Sequence, residues 1–305
     1  MNRLIAIVGP TGIGKSKLAL RLAQKFNGEI INADSRQVYR YMDIGTAKLS
    51  PEDLALVPHR LISIVNPDEE FSLAQYHQLA YHAISDVQER NKLPLLVGGS
   101  GLYIWTVLEG WQIPQIPPDP EFRRSLAEKV DTTGVEELYQ ELKKVDSESA
   151  QKIDPRNTRR VIRALEVYRI SGIPFSQLQQ KQPPPFDTLI LGLTIDRTEL
   201  YRRIDLRVNE MIKQGLVEEV KKLADMGYDF DLPAMSGIGY KQIGMFLKGE
   251  VTLESAIAQI KFETHRFVRR QYNWFRPSDK RIKWFDVKTE AETDIITLAS
   301  EFLAK

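Results

Sequence analysis

A glycine-rich segment near the amino terminus carries the residue types that bind phosphate groups. It fits the pattern G-x-x-x-x-G-K-[ST] and consists of Gly9, Pro10, Thr11, Gly12, Ile13, Gly14, Lys15 and Ser16. In such a loop, consecutive backbone N–H groups and the start of the following helix converge on an anion. Lys15 supplies a positive charge to the terminal phosphates, and the Ser16 hydroxyl is a candidate ligand of Mg²⁺. The segment therefore predicts a diphosphate or polyphosphate site with Mg²⁺ as cofactor, without indicating which group is transferred.

Loops of this type usually serve nucleotide hydrolysis or kinase chemistry, but the sequence lacks one acidic residue that is typical of such enzymes. Typical enzymes of the class place an Asp at the end of a later strand to hold Mg²⁺. Here the apolar segment Leu93 to Val97 is followed by Gly98-Gly99-Ser100-Gly101, which contains no acid. The loop alone would permit ATP, so nucleotide binding and ATP binding rest on analogy.

A carboxylate follows the second apolar segment, in Asn32-Ala33-Asp34-Ser35-Arg36-Gln37-Val38-Tyr39. In an open α/β sheet the ligand crevice lies at the carboxyl ends of the strands. Asp34 is therefore expected near whatever the phosphate loop holds. An Asp in this position is also a common turn-forming or helix-capping residue, and the spacing alone leaves both roles open.

The elements that position these residues alternate between strand and helix. Apolar residues recur at helical spacing after the phosphate loop and again from Ser72 to about Arg90. Short apolar runs between them have the character of buried parallel strands. Those runs are Leu4 to Val8, Glu29 to Ala33, Leu61 to Val65 and Leu93 to Val97. The alternation predicts an α/β fold, a P-loop-type parallel sheet flanked by helices.

Two proline-rich stretches bracket a region of different character. They run from Ile113 to Pro120 and from Lys181 to Phe186, and proline continues neither a helix nor a central strand. Every segment between them has a helical pattern. After them, Thr188 to Ile195 is predicted to return to the sheet as a strand, and Glu199 to Phe275 is predicted to be helical. We therefore predict a core of residues 1–114 and 186–305, interrupted by a small all-helical insertion of residues 115–185.

Several motifs together resemble those of bacterial tRNA dimethylallyltransferases. The matching segments are the phosphate loop, Asp34 to Tyr39, Met42 to Lys48, Gly98 to Tyr103, Arg159 to Val167, Gly239 to Gln242 and Arg269 to Arg276. They span nearly the whole chain in the order found in that family. Shikimate-type kinases share only the first of them.

The resemblance implies a specific reaction. In that family the loop holds the diphosphate of dimethylallyl diphosphate, and the acceptor is the N6 amine of adenosine 37 in tRNA. Asp34 matches the general base that accepts the proton of this amine. Lys15, Arg207 and Mg²⁺ would stabilise the charge that develops on the leaving diphosphate. Ser100 stands where relatives often carry a threonine near the reacting centre, and it retains the hydroxyl.

The resemblance also implies contacts to the anticodon stem-loop of tRNA. The residues that match tRNA-binding positions are Ser35, Arg36, Gln37, Ser100, Arg123, Arg159, Arg160, Arg163, Gly239, Tyr240 and Lys241. Independently of the resemblance, Arg156, Arg159, Arg160 and Arg163 recur at offsets that predict a stripe on one helix face, which we interpret as RNA-binding. Basic residues from Lys261 to Arg276 interleave with aromatics, for which a place in the core is the favoured interpretation. A solvated basic face is the alternative for the arginines.

Composition restricts the remaining possibilities. The formal net charge is +1, so RNA binding must come from local clusters rather than from bulk charge. The absence of cysteine removes disulfides and thiolate zinc sites. The apolar stretch Leu4 to Val8 is too short for a secretory signal or a membrane span, so we expect a cytoplasmic protein without membrane contact. We separately expect a monomer. The rival readings are an enzyme that prenylates free adenine nucleotides, a P-loop kinase of a small metabolite, and a non-catalytic RNA-binding protein.

Overall fold

The described residues of the computed structural model, 2–288 and 291–305, form a six-stranded sheet in which every pairing is parallel. Its order is β3-β2-β4-β1-β5-β6. The strands are β1 (Arg3–Val8), β2 (Gly28–Asn32), β3 (His59–Arg60), β4 (Leu93–Val97), β5 (Asp187–Thr194) and β6 (Ile282–Asp286). The predicted α/β class with a parallel sheet is confirmed.

Helices flank this sheet and connect its strands. The first group is α1 (Lys15–Lys25), α2 (Pro51–Leu56), α3 (Leu73–Glu89) and α4 (Gly101–Leu108). After the insertion follow α10 (Arg197–Lys213), α11 (Leu216–Asp225), α12 (Tyr240–Leu247), α13 (Leu253–Trp274) and α14 (Ala291–Ala304). Within the described ranges, no helix is long and apolar enough to cross a membrane.

The sequence explains why the central elements form where they do. β4 is buried along its whole length, and β1 along all but its first residue, as expected for a strand covered by helices on both faces. α3 begins with a capping box, because the Ser72 side chain accepts the Gln75 N–H and the Gln75 side chain accepts the Ser72 N–H. These signals lie close together in the chain, so the sequence was sufficient to locate them.

The prediction of a strand from Leu61 to Val65 is wrong. β3 ends at Arg60, and Leu61 and Ser63 adopt φ values of 61° and 52°. Residues in this left-handed region turn the chain out of an extended path. The Asn32 side-chain amide donates to the Leu61 carbonyl at 2.9 Å, which stabilises the turn. β6 and α14 were not predicted from the sequence.

The chain divides into two compact units, Met1–Leu108 with Pro184–Lys305, and Glu109–Pro183. The second unit consists of α5 (Pro120–Thr133), α6 (Val135–Val145), α7 (Ser147–Lys152), α8 (Thr158–Ser171) and α9 (Phe175–Leu178) around its own apolar cluster. It begins at 109 instead of the predicted 115 and ends at 183 instead of 185. The residues just before the first proline-rich stretch pair with the chain around the start of the second, through a Trp111–Lys181 bridge and a 2.7 Å hydrogen bond from the Gln112 N–H to the Gln180 carbonyl.

Candidate active site

The predicted phosphate loop joins β1 to α1 at the carboxyl edge of the sheet. Gly9 has φ 141°, and a Cβ atom there would lie 2.7 Å from the Leu193 carbonyl oxygen, so only glycine fits. The Lys15 ammonium donates to the carbonyls of Gly9 and Pro10 at 3.0 and 2.8 Å. The Lys15 side chain is therefore folded back over the loop. Lys15 is also the first residue of α1, and the start of this helix is where a phosphate would bind.

The electrostatic setting of Lys15 is unusual for a lysine. Burial lowers the pKa of its ammonium to about 8. The charge of Asp34 opposes this shift, and the charge of Arg207 adds to it. A bound diphosphate would supply the negative charge that this environment lacks.

Asp34 occupies a tight turn directly after β2. Its Oδ1 accepts the N–H of Arg36 at 2.9 Å, and its own N–H donates to the Asn32 side chain at 3.2 Å. The neighbouring Ser35 N–H donates to the Ser100 hydroxyl at 3.0 Å. Asp34 therefore forms the contacts of a turn-forming residue, which was the alternative interpretation of this position. Through Ser35, the turn also lies next to Ser100.

Asp34 faces the same cleft as the phosphate loop. This cleft has a volume of about 570 Å³. Arg203 and Arg207 of α10 border it, and the Arg207 guanidinium donates to the Thr11 hydroxyl at 3.4 Å. The predicted site residues that line it are Thr11, Gly12, Gly14, Lys15, Ser16, Asp34, Gln37 and Arg207. Residues from the phosphate loop, the β2 turn and α10 thus converge on one space.

Two residues that the sequence analysis did not assign to the site hold its loops in place. Both carboxylate oxygens of Glu219 accept backbone N–H groups of the loop 43–45, at 2.8 to 3.1 Å. The buried Gln271 side chain contacts the backbone of Thr11 and Gly99. The sequence could have pointed to Gln271, because it is a polar amide at a position that helical spacing places on the buried face of α13.

The tRNA-binding residues predicted in the turn after β2 are partly buried and make contacts within the protein. The Arg36 guanidinium donates to the carbonyls of Pro233 and Ala234, and the Gln37 amide donates to the carbonyls of Thr46 and Ala47. Both side chains hold neighbouring loops together. Ser35 is partly buried beside Ser100.

The three residues from Gly239 to Lys241 differ in exposure. Gly239 is buried, and Tyr240 is only 1% exposed with its hydroxyl donating to Glu219 at 2.6 Å. A Cβ atom on Gly45 would lie 2.5 Å from the Tyr240 ring, so this ring packs directly on the loop. Tyr240 is thus a support for the 43–45 loop, and Lys241 is the exposed residue of the three.

The arginines of the insertion fall into two groups. Arg123 makes two hydrogen bonds to the fully buried Glu166, at 2.7 and 3.0 Å, and Arg163 contacts the same carboxylate. These two arginines neutralise a buried charge within the insertion. Arg159 and Arg160, in contrast, are exposed near the start of α8.

The predicted arginine stripe is shorter than expected. Arg156 lies before α8, because Asn157 caps the helix by accepting the Arg160 N–H. Arg156 instead pairs with Asp154 at 2.7 Å. Of the four arginines in the predicted stripe, Arg159 and Arg160 are therefore the two that lie in α8 and have exposed side chains.

The aromatic residues of α13 and of its C-cap, Phe275, also differ in exposure. Phe275 is 1% exposed and belongs to the core, in agreement with the favoured interpretation. Phe262 is 60% exposed, with the Arg266 guanidinium 5.9 Å from its ring centre. The interleaved basic and aromatic pattern therefore mixes core and surface positions.

Comparisons with known proteins agree on one family. The family model described as IPP transferase matches residues 37–278. The tRNA dimethylallyltransferase of Dehalococcoides mccartyi is 50% identical over 301 residues, 99% of this chain and 93% of that protein. Among solved structures, the tRNA isopentenylpyrophosphate transferase of Bacillus halodurans has a TM-score of 0.73 at 41% identity, covering 100% of this chain and 96% of that one. A eukaryotic dimethylallyltransferase acting on tRNA gives a TM-score of 0.84 at 29% identity, over 100% of this chain and 80% of that chain.

Proposed function

The chain belongs to the IPP transferase family of tRNA dimethylallyltransferases, and on this basis we propose that it transfers a dimethylallyl group from dimethylallyl diphosphate to N6 of adenosine 37 in tRNA. The enzyme class, a tRNA prenyltransferase, follows from the family. The donor, the position of the adenosine and the metal are our proposals. The observation that supports the chemistry is the shared cleft, which offers Lys15 and Arg207 to a leaving diphosphate and Asp34 to an acceptor amine.

The donor half of the reaction requires stabilisation of a leaving group. As the allylic C–O bond breaks, its electron pair moves onto the diphosphate. The charges of Lys15 and Arg207 then stabilise this anion electrostatically. Ser16 lies in the first turn of α1, in the same cleft, and its hydroxyl would be a ligand of Mg²⁺, an ion that prefers oxygen ligands. When bound, Mg²⁺ would neutralise part of the diphosphate charge.

The acceptor half requires removal of a proton. The new bond forms between N6 and the allylic carbon, and N6 must then lose one proton. Asp34 Oδ1 already accepts the Arg36 N–H. Within residues 2–288 and 291–305, Oδ2 has no hydrogen-bond partner, so it is the oxygen that takes the proton. General-base assistance of this kind commonly contributes ~10²–10⁴-fold to the rate.

The acceptor base must also be brought out of its stack. Extrusion of a nucleotide costs a few kcal/mol, and contacts to the rest of the tRNA must offset that cost. Arg159 and Arg160 are suited to phosphates because their side chains are exposed on the insertion. We further propose that the protein acts as a cytoplasmic monomer.

Incorporation of labelled dimethylallyl diphosphate tests this function directly. Unmodified tRNA and AMP serve as parallel acceptors, each with Mg²⁺ present or chelated. We expect label in tRNA alone, at adenosine 37, with a requirement for Mg²⁺. Label in AMP would favour an enzyme of free adenine nucleotides. Label in neither, together with turnover of ATP, would favour a small-molecule kinase.

A further inference from the structure

One buried amide side chain bridges two loops of the candidate active site. Gln271 lies on α13 and is 3% exposed. Its Oε1 accepts the backbone N–H of Thr11 at 2.9 Å, and its Nε2 donates to the Gly99 carbonyl at 3.0 Å. Both ends of the amide are therefore used, one on the phosphate loop and the other on the turn that follows β4.

Each of these contacts leads to a different partner of the reaction. On the donor side, the Thr11 hydroxyl accepts a hydrogen bond from Arg207. On the acceptor side, Gly99 precedes Ser100, whose hydroxyl accepts the N–H of Ser35, the residue after Asp34. Gln271 thus connects the groups proposed for the diphosphate with the groups proposed for the amine.

The packing around Gln271 leaves little freedom of movement. A Cβ atom on Gly99 would lie 2.3 Å from Gln271 Nε2, and one on Gly101 would lie 2.1 Å from the Trp274 ring. The end of α13 is also held by the Trp105 indole N–H, which donates to the Trp274 carbonyl at 2.9 Å. Because the amide packs directly against Gly99 and the next turn of α13 packs against Gly101, the position of Gln271 is tied to that of the loop after β4.

We propose that Gln271 is a positioning residue that sets the separation between the phosphate loop and the Ser100 turn. Through this separation it aligns the allylic carbon of the donor with the amine at Asp34. The proposal rests on the proposed function, since it concerns the same two substrates. A misplacement of about 1 Å between reacting groups lowers rates by ~10²-fold, so the loss of this bridge should appear in the chemical step.

The test compares two changes at Gln271 with a matched glutamine elsewhere. Gln271→Leu removes both hydrogen bonds, and Gln271→Glu keeps the acceptor for Thr11 but places a carboxylate against the Gly99 carbonyl. The control is Gln88→Leu, because the Gln88 amide also donates to a backbone carbonyl, that of Arg3, at 3.1 Å. Arg3 starts β1, ~17 Å of strand away from the phosphate loop.

The measurements are the single-turnover rate constant with both substrates saturating, the Kd for tRNA, and amide hydrogen exchange. For Gln271→Leu we expect a rate constant lower by ~10–10²-fold, a tRNA Kd within about twofold of wild type, and faster exchange in residues 11–12 and 98–101. For Gln271→Glu we expect a loss at high pH that recovers as the pH falls, since a protonated carboxyl donates to the Gly99 carbonyl. Gln88→Leu should retain the wild-type rate.

Each alternative outcome has a definite meaning. Rate constants within about twofold of wild type for both Gln271 variants would overturn the proposal, as would an equal loss in Gln88→Leu. If Gln271→Leu does not fold, the pH profile of Gln271→Glu decides, and a constant ratio to wild type would overturn it. If the wild type transfers no label, the proposed function fails, and amide exchange still decides whether Gln271 orders both loops.

Discussion

Raising the pH from 7 to 9 should weaken the binding of dimethylallyl diphosphate, because it removes the charge of Lys15. Burial lowers the pKa of this lysine to about 8, and the anionic donor binds the charged form. The direction of the change in donor affinity follows from this lowered pKa. A lysine with a lowered pKa is charged below pH 8 and becomes neutral above it, so the form present at low pH binds better.

The magnitude follows from the same pKa. With a value of about 8, Lys15 is charged in about nine-tenths of the molecules at pH 7, in about half at pH 8, and in about one-tenth at pH 9. If the charged form alone binds the donor, its apparent Kd is multiplied by about 1.1, 2 and 11 at these three values. The Kd should therefore rise about tenfold between pH 7 and pH 9.

Equilibrium dialysis of labelled dimethylallyl diphosphate measures this effect without any contribution from the chemical step. The protein is held at constant ionic strength with Mg²⁺ and without tRNA. Lys15→Met should bind more weakly and show no comparable rise of the Kd with pH. Lys25→Met is the matched control, because Lys25 is exposed at the other end of α1, and its Kd should rise as in the wild type.

Two results would refute this reasoning. The first is a wild-type Kd that stays within about twofold between pH 7 and pH 9, against the expected tenfold. The second is a rise in Lys15→Met as steep as in the wild type, which would assign the pH dependence to another group.

Three further predictions concern the base, the RNA contact and the stability of the fold. Asp34→Asn keeps an acceptor for the turn but not a base, so the single-turnover rate should fall by ~10²-fold or more with little change in tRNA affinity; a retained rate would exclude Asp34 as the base. Replacing Arg159 and Arg160 by Ala should lower the slope of log K for tRNA against log salt by about 2, while Arg156→Ala, whose partner is Asp154, should leave it unchanged. Hydrogen bonds from Arg90 above all, and from Lys92 and Arg60, lower the pKa of the buried Glu29 from 4.5 to about 2. This shift corresponds to at most about 3 kcal/mol of folding stability. The stabilisation is present above pH 4.5 and is lost as the pH falls toward 2. Glu29→Gln should lose this dependence in acid unfolding measured by circular dichroism, and an unchanged acid profile would contradict the assignment.

Features whose determinants are neighbours in the chain could be predicted from the sequence. The phosphate loop is one, because its glycines, Lys15 and Ser16 are consecutive and its geometry depends on the strand and helix that flank it. α3 is another, with its cap at Ser72 three residues from Gln75. The family resemblance rests on motifs of the same local kind.

Edge elements could not be located in this way. A short edge strand buries fewer side chains, and its pairing depends on a neighbour that is distant in the sequence. Leu61 to Val65 is an apolar run, yet left-handed residues carry it into a turn that a side chain of β2 stabilises. The insertion boundaries likewise depend on pairing between segments near Trp111 and Lys181.

The sequence by itself determined the chemistry available to this protein: a phosphate loop, a carboxylate after the second strand, and a set of arginines. Only the tertiary structure decided how these groups are used. It brought Arg207 and Asp34 to the cleft of Lys15, and it joined Thr11 to Gln271 across 260 positions of the chain. It also assigned Arg123 and Arg163 to the buried Glu166, and left Arg159 and Arg160 exposed. The physical reason is that residue type fixes charge and hydrogen-bonding capacity, whereas burial and partners arise from packing between segments far apart in sequence.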